Sequence, residues 1–310
     1  MPVELPLGSS FADYRVEGVI GRGGMGVLYC ATQLSLERQV ALKLISPTFA
    51  DDRLFRERFK REARLAARID HPNVIPVYEA GEWEGQLFLA MRYVDGTDFR
   101  AIIACEEKLH PRQAAPIIAQ VASALHAAHE GGLVHRDVKP GNVLIENRDG
   151  AAHAYLTDFG LSKLTSSTTG LTRTGRWVGT VDYAAPEQVQ AGETDARTDV
   201  YALGCVLYEA LTGQVPFPRS REVSKIVAHV SEPPPPIAEV APDCPGEREL
   251  SEIVKRAMAK DPEERYQSAR DLARAVTAAA ESTPHPETEL VIPDAANSRS
   301  EVDRSAPTAG

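Results

Sequence analysis

No stretch of this chain is apolar for long enough to cross a bilayer. The longest, Val200 to Ala210, contains Glu209 and falls short of the ~20 residues that a spanning helix needs. The first ten residues have neither a basic leader nor an apolar core, so they do not read as a signal peptide. Cysteine is scarce: four residues, at 30, 105, 205 and 244, form no C-x-x-C pair and suit neither a zinc site nor a disulfide framework. Reduced thiols are expected. Positive charge is also in deficit. With 34 Lys and Arg against 44 Asp and Glu the net charge is −10, which gives a nucleic-acid partner no support from bulk electrostatics. The expectation is a soluble, cytoplasmic protein with no membrane segment in this chain, tethered to a membrane only if the native chain extends beyond residue 310.

What is present is ordinary for a globular protein. The 310 residues are 43% hydrophobic and 25% charged, enough for one large domain or two lobes. Residues 14–45 read as strands: Val16, Gly18 and Ile20 alternate, a glycine cluster intervenes, and Val27-Leu28-Tyr29 resumes. In the strand from Val40 to Ile45 the period of two sets Val40, Leu42 and Leu44 on one face and Ala41, Lys43 and Ile45 on the other. Residues 52–69 read as a helix with Phe55, Phe59, Ala66 and Ile69 on one stripe. Its many basic residues (Arg53, Arg56, Arg58, Lys60, Arg61, Arg64, Arg68) read as a solvated face, with a nucleic-acid-binding helix as the alternative. Strands follow near 74–80 and 87–93. Beyond residue 97 the pattern is mostly helical, with helices expected over 112–130, 199–212 (apolar almost all round), 247–259 and 268–279. Pro233 to Pro236 reads as a rigid extended link, a partner-binding proline motif being the alternative. From Glu281 the chain is rich in Pro, Ser, Thr and acid, carries a net −4, and is expected to be disordered.

Several short motifs carry chemistry. Gly21-Arg22-Gly23-Gly24-Met25-Gly26 matches G-x-G-x-x-G, but the residues after it favour strand, so it reads as a β-hairpin lid whose bare backbone can approach phosphates. No G-K-[S/T] follows, which excludes the P-loop class. Glu62 falls on the buried stripe of its helix, where a carboxylate is expensive unless paired. Lys43 is the expected partner, aimed at the α/β-phosphates, with small Ala41 on the same strand face able to lie against an adenine ring. His135-Arg136-Asp137-Val138-Lys139-Pro140-Gly141-Asn142 and Asp158-Phe159-Gly160 set one carboxylate and one amide five positions apart and a second carboxylate downstream. Phosphoryl transfer asks little more of a protein. Asp137 can orient a hydroxyl, Lys139 can reach the γ-phosphate, and Asn142 and Asp158 offer the hard oxygens that suit Mg²⁺.

Together these motifs resemble those of the Hanks-type (eukaryotic-like) serine/threonine protein kinases, in particular the bacterial receptor-like branch, over residues 14 to about 278. The resemblance implies an α+β, bilobal fold. An antiparallel-sheet N-lobe (14–93) and a mainly helical C-lobe (97–278) would follow an N-terminal extension (1–13) and precede an acidic tail (279–310). It implies ATP and Mg²⁺ as cofactors, with Mn²⁺ as the alternative ion, and protein Ser/Thr hydroxyls as acceptors. Ile20, the loop from Gly21 to Leu28 (Arg22, Gly23, Gly24, Met25, Gly26 and Val27 included), Ala41, Lys43, Glu62 and Leu144 would bind the nucleotide. Met91 would be the gatekeeper, and Arg92 to Val94 the hinge that hydrogen-bonds adenine through its backbone. Asp137 would be the catalytic base, Asp199 the anchor of its loop, and Arg265 the partner of Glu187 in Ala185-Pro186-Glu187. Asp137-x-Lys139-Pro140 and Thr180 resemble the Ser/Thr-specific form. Autophosphorylation at Thr172 or Thr174, in trans through a homodimer, is expected, with Arg136 as the partner of the phosphate. Departures are Val138 for Leu, Gly141 where relatives often carry Glu or Ser, and Arg92 where an acid is common. A pseudokinase scaffold and a small-molecule kinase of the aminoglycoside or choline type are the competing readings.

Overall fold

A computed structural model of the chain describes residues 4–50, 52–159, 181–286, 288 and 290–293, the side chains of residues 48 and 50 excepted. In the N-terminal lobe the strands are β1 (Ser10–Phe11), β2 (Tyr14–Gly23), β3 (Gly26–Gln33) and β4 (Arg38–Ile45). After α1 (Pro47–Ala50) and α2 (Arg53–Ala66) come β5 (Val77–Trp83) and β6 (Gln86–Arg92). They form one antiparallel sheet in the order β1-β2-β3-β4-β6-β5. The period of two in β4 decides which core each residue joins. Val40, Leu42 and Leu44 pack with Tyr14, Val16 and Phe88 on one face of the curled sheet. Ala41 and Ile45 pack on the other face against Phe55, Phe59 and Ala63 of α2. Asp52 caps α2, its carboxylate accepting from the Leu54 and Phe55 amides.

The C-terminal lobe holds a second antiparallel sheet, β7 (Thr97–Asp98), β8 (Val143–Arg148) and β9 (Ala151–Leu156), whose Val143, Ile145, Ala154 and Leu156 join the core of its helices. The helical reading beyond residue 97 overlooked it, because its strands are short and their apolar faces are completed only by other elements. The helices are α3 (Phe99–Glu106), α4 (Pro111–Glu130), α5 (Pro186–Val189), α6 (Ala196–Thr212), α7 (Glu222–Ser231), α8 (Ile237–Val240), α9 (Glu247–Ala257) and α10 (Ala269–Glu281). α6 is buried nearly all round, as its composition predicts, and α4, α9 and α10 close on it. No helix among the described residues is long and apolar enough to cross a membrane.

The expectation of a structureless tail from residue 279 needs correction over its first part. α10 runs through Glu281, the Arg112 side chain donates to the Thr283 carbonyl at 2.8 Å, and Gln113 donates to the Thr288 carbonyl at 3.1 Å. Leu290 and Ile292 pack against the C-lobe core while Val291 between them is 59% exposed. Two alternate apolar residues find a groove, and two α4 side chains satisfy backbone that would otherwise need water. Residues 294–310 lie outside the described residues.

One buried ion pair fastens the start of α5 to the lobe. The Arg265 guanidinium, fully buried, donates to both Glu187 carboxylate oxygens at 2.8 Å and to the carbonyls of Ala259, Arg197 and Lys260. This is the pairing the resemblance implied. Removing one member of a buried pair leaves the other charge unmatched. Arg265→Ala is therefore expected to lower unfolding free energy by about 3–5 kcal/mol in urea titrations; a loss under 1 kcal/mol would contradict the assignment.

Lys260, nearby, has no carboxylate partner among the described residues. Its ammonium donates to the His229 carbonyl at 2.8 Å and lies 5.1 Å from the Phe217 ring centre. Burial pushes it down to about 8. An unfolded lysine near 10.4 then holds its proton more tightly than the folded one. The burial penalty is complete below pH 8 and is relieved as pH rises from 8 toward 10.4, so this group makes stability increase with pH across that window. Wild type should gain on Lys260→Met by about 1–3 kcal/mol from pH 7.5 to pH 10. Parallel denaturation curves at the two pH values test this, and no relative gain would refute it.

Candidate active site

The glycine motif closes the β2–β3 hairpin, as its flanks predict. Gly23 pairs with Gly26 across a turn of Gly24 and Met25. Gly26 has φ +147°, and a Cβ on it would run into the Leu44 carbonyl of β4. Only glycine lets the hairpin approach its neighbour so closely. Beside the hairpin one apolar cluster collects Ala41, Met91 and Val94, with Ile20, Met25, Leu28 and Leu144 packed against it. These residues come from separate stretches of sequence, and Leu144 comes from β8 of the C-lobe sheet. Val27 does not join them: it is buried under the opposite face of the sheet. Arg22 reaches sideways instead, its guanidinium bound to Glu4 at 2.7 Å. Arg92 donates its backbone N–H to the Pro76 carbonyl at 2.9 Å, and its guanidinium lies over Tyr155 and 3.7 Å from Glu146.

Below this cluster stands the catalytic-type loop. Lys139 donates to Asp137 Oδ2 at 2.8 Å, and the Asn142 amide donates to the same oxygen at 3.1 Å and to the Asp137 carbonyl at 2.8 Å. With Nδ2 so used, Asn142 Oδ1 is left as an acceptor. The Asn142 carbonyl takes the Thr157 amide at 3.0 Å, which fixes the loop to the residue before Asp158. Lys43 donates to Asp158 Oδ1 at 2.7 Å. Burial by itself would raise the Asp158 carboxyl, but the Lys43 ammonium, assisted by His135 and Lys139, holds it below the usual carboxylate range. A divalent ion would fit here on the hard oxygens of Asp158 and Asn142. No set of three or more His, Cys, Asp or Glu among the described residues could hold one alone, so phosphate and water oxygens would complete its shell.

The loop's shape is imposed from beneath. Asp199 of α6 is fully buried; its Oδ1 accepts the Arg136 amide at 2.7 Å, and its Oδ2 accepts the His135 amide at 2.8 Å and lies 2.7 Å from His129 Nε2. Arg136 is thereby held at φ +66°, and Asp158 sits at φ +63°. Both are left-handed non-glycine residues, a conformation that persists only where surrounding contacts over-determine it. His135 is fully buried, its Nε2 on the Thr157 carbonyl at 2.8 Å, its Nδ1 accepting the Asp137 amide, its ring 4.7 Å from that of Phe159.

The expected Lys43–Glu62 pair is not formed. Glu62 Oε1 instead lies 3.7 Å from the Arg136 guanidinium. Two carboxylates compete for one ammonium; Asp158 meets Lys43 at hydrogen-bond distance, and Glu62 has an alternative cation in Arg136. Gly160, Thr172, Thr174 and Thr180 lie outside the described residues.

The match to known proteins follows this geometry. Residues 14–276 match the model of the protein kinase domain. This chain belongs to the protein kinase domain family. It is 45% identical over 269 residues to the serine/threonine-protein kinase PknH of Mycobacterium bovis, covering 87% of this chain and 44% of that protein. It is 43% identical over 267 residues to PknD of Mycobacterium tuberculosis, covering 86% of this chain and 40% of that protein. The crystal structure of the Mycobacterium tuberculosis PknI kinase domain superposes with a TM-score of 0.73 at 33% identity, covering 89% of this chain and all of that one. The chain spans less than half the length of the PknH and PknD relatives it matches.

Some residues that shape the kinase site carry no strong sequence signal. His129 supports Asp199 eight positions before Asp137, and Gln188 donates to the Arg136 carbonyl at 2.9 Å. Asn73 links the lobes, its side chain donating to Gln120 and to the Ala154 carbonyl at 2.9 Å. The signal that could have found it is the triplet His71-Pro72-Asn73, which follows the helix. Replacing Asp199 by Asn would set a donor against N–H groups it now accepts. Asp199→Asn is expected to lower kcat about 10–100-fold in steady-state assays, as for loss of a charge-assisted buried hydrogen bond, with the fold retained by circular dichroism. A folded variant within twofold of wild type would refute the anchoring role.

Proposed function

We propose that this chain is the catalytic domain of a serine/threonine protein kinase, transferring the γ-phosphate of ATP to Ser/Thr hydroxyls of proteins. The observation that carries the reading is the convergence of Asp137, Lys139 and Asn142 on one side of the cleft with Lys43 and Asp158 on the other, below the glycine hairpin and its apolar cluster. The purine would lie among Ile20, Ala41, Met91 and Leu144, with the hairpin backbone over the phosphates. Asp137 would accept the hydrogen bond of the acceptor hydroxyl, while Lys139, 2.8 Å from its carboxylate, would swing toward the transferring phosphoryl group. Mg²⁺, held by Asp158 and Asn142, would neutralise phosphate charge. Protein substrates would dock along the segment that ends at Glu187.

Regulation fits the observed charges. A phosphate on Thr172 or Thr174 would compete for the Arg136 guanidinium that now faces Glu62. Drawing Arg136 away would favour the Lys43–Glu62 pair on which phosphate positioning in kinases depends. Trans-autophosphorylation through a homodimer is part of the proposal.

The test is Mg²⁺-dependent transfer of labelled γ-phosphate to itself and to a generic protein acceptor, with phosphosites mapped. Asp137→Ala should lose at least the 10²–10⁴-fold typical of a general acid–base group. Near wild-type turnover by that variant would overturn the assignment of Asp137. An active enzyme unmodified at Thr172 and Thr174 would overturn the regulatory part alone.

A further inference from the structure

Gly141 is the position at which the catalytic-type loop departs most from the resemblance. The space its missing side chain leaves is filled: a Cβ on Gly141 would stand 2.6 Å from an Arg100 guanidinium nitrogen and 3.3 Å from its central carbon. The first turn of α3 thus lays a cation on the loop, one residue from Asn142, whose amide is 3.1 Å from Asp137 Oδ2.

No described residue pairs with that cation. Arg100 is exposed and makes no hydrogen bond or ion pair with the described residues. It sits in the first turn of its helix, where the macrodipole disfavours positive charge and where Asp98 already caps the Ala101 amide at 2.9 Å. The carboxylate that feels it, Glu209, is engaged by the Tyr183 hydroxyl at 2.5 Å, and burial pushes that carboxyl up. The chain as a whole carries −10 and would repel an acidic substrate, so a guanidinium unpaired among the described residues, laid on the loop that carries the candidate base, changes the local sign.

We propose that Arg100 is a specificity-determining residue that binds a carboxylate side chain of the protein substrate close to the phosphoacceptor. An extended substrate advances about 3.3 Å per residue, so a side chain two or three residues from the acceptor reaches from Asp137 to the Gly141 surface. The inference rests on the protein-kinase reading above and names the substrate class for that same site.

Thr peptides carrying Glu or Gln at positions −3, −2, +2 or +3 give the test, as kcat/KM ratios for each pair. Wild type should prefer Glu by about 5–20-fold at one or more of these positions, the range of a charge-assisted hydrogen bond, and less so at high salt. Arg100→Gln should bring the ratio within twofold of unity, Arg100→Lys should recover part of it, and Arg100→Glu should make a Lys peptide the better substrate. A wild-type ratio near one at all four positions overturns the proposal, as does a preference that survives in Arg100→Gln. Transfer to no peptide at all, under conditions where nucleotide binds, would instead overturn the kinase reading on which it rests.

Discussion

The buried carboxylate of Asp199 is the constraint on which the site depends. It lies in a helix that is buried nearly all round, and its two oxygens take the consecutive amides of His135 and Arg136 together with the His129 imidazole. A buried carboxylate is tolerated only when its hydrogen bonds are made, and these donors make them. In exchange they hold Arg136 in a left-handed conformation that the chain would otherwise leave. That turn brings Asp137, Lys139 and Asn142 together, and the Asn142 carbonyl passes the same rigidity to Thr157 and so to Asp158. Helix, loop and metal-binding-type segment are one mechanical unit.

A second theme is competition among a few charges. Asp158 and Glu62 both need a cation, and among the described residues they meet Lys43 and Arg136 respectively. The pairing seen here, Lys43 with Asp158 and Glu62 with Arg136, differs from the one expected from burial alone. It connects the N-lobe helix to the arginine that precedes the candidate base. Elsewhere the charges are settled. Arg265 and Glu187 are bidentate and screened from water, a pair that fixes geometry rather than taking part in exchange. The guanidinium on Gly141 belongs to neither class, since Arg100 is exposed and without a partner among the described residues.

Much of the fold was legible in the sequence because its signals are local. The period of two in β4 predicted both of its faces, the stripe Phe55–Phe59 predicted the buried side of α2, and the near-continuous apolar run predicted the central helix. The strands β7 to β9 were not legible: short segments gain their stability from pairing with one another, β7 with β8 across more than forty intervening residues, which no window of sequence contains. The docked stretch at Leu290 and Ile292 was missed for a related reason, since two apolar residues in an acidic tail mean little until a groove receives them.

For the site, sequence by itself determined the chemical inventory: one loop with a carboxylate, an ammonium and an amide, a downstream carboxylate, a strand lysine, a helix glutamate and a glycine hairpin. Spacing along the chain is enough for this, because each motif is a contiguous backbone feature. Tertiary structure decided who meets whom. It placed Leu144 beside Ile20 and turned Val27 away; it paired Lys43 with Asp158 rather than Glu62; and it set Arg100 on Gly141. Electrostatic partners are chosen by distance and burial in three dimensions, and residues 115 apart in sequence, as Lys43 and Asp158 are, carry no local trace of that choice.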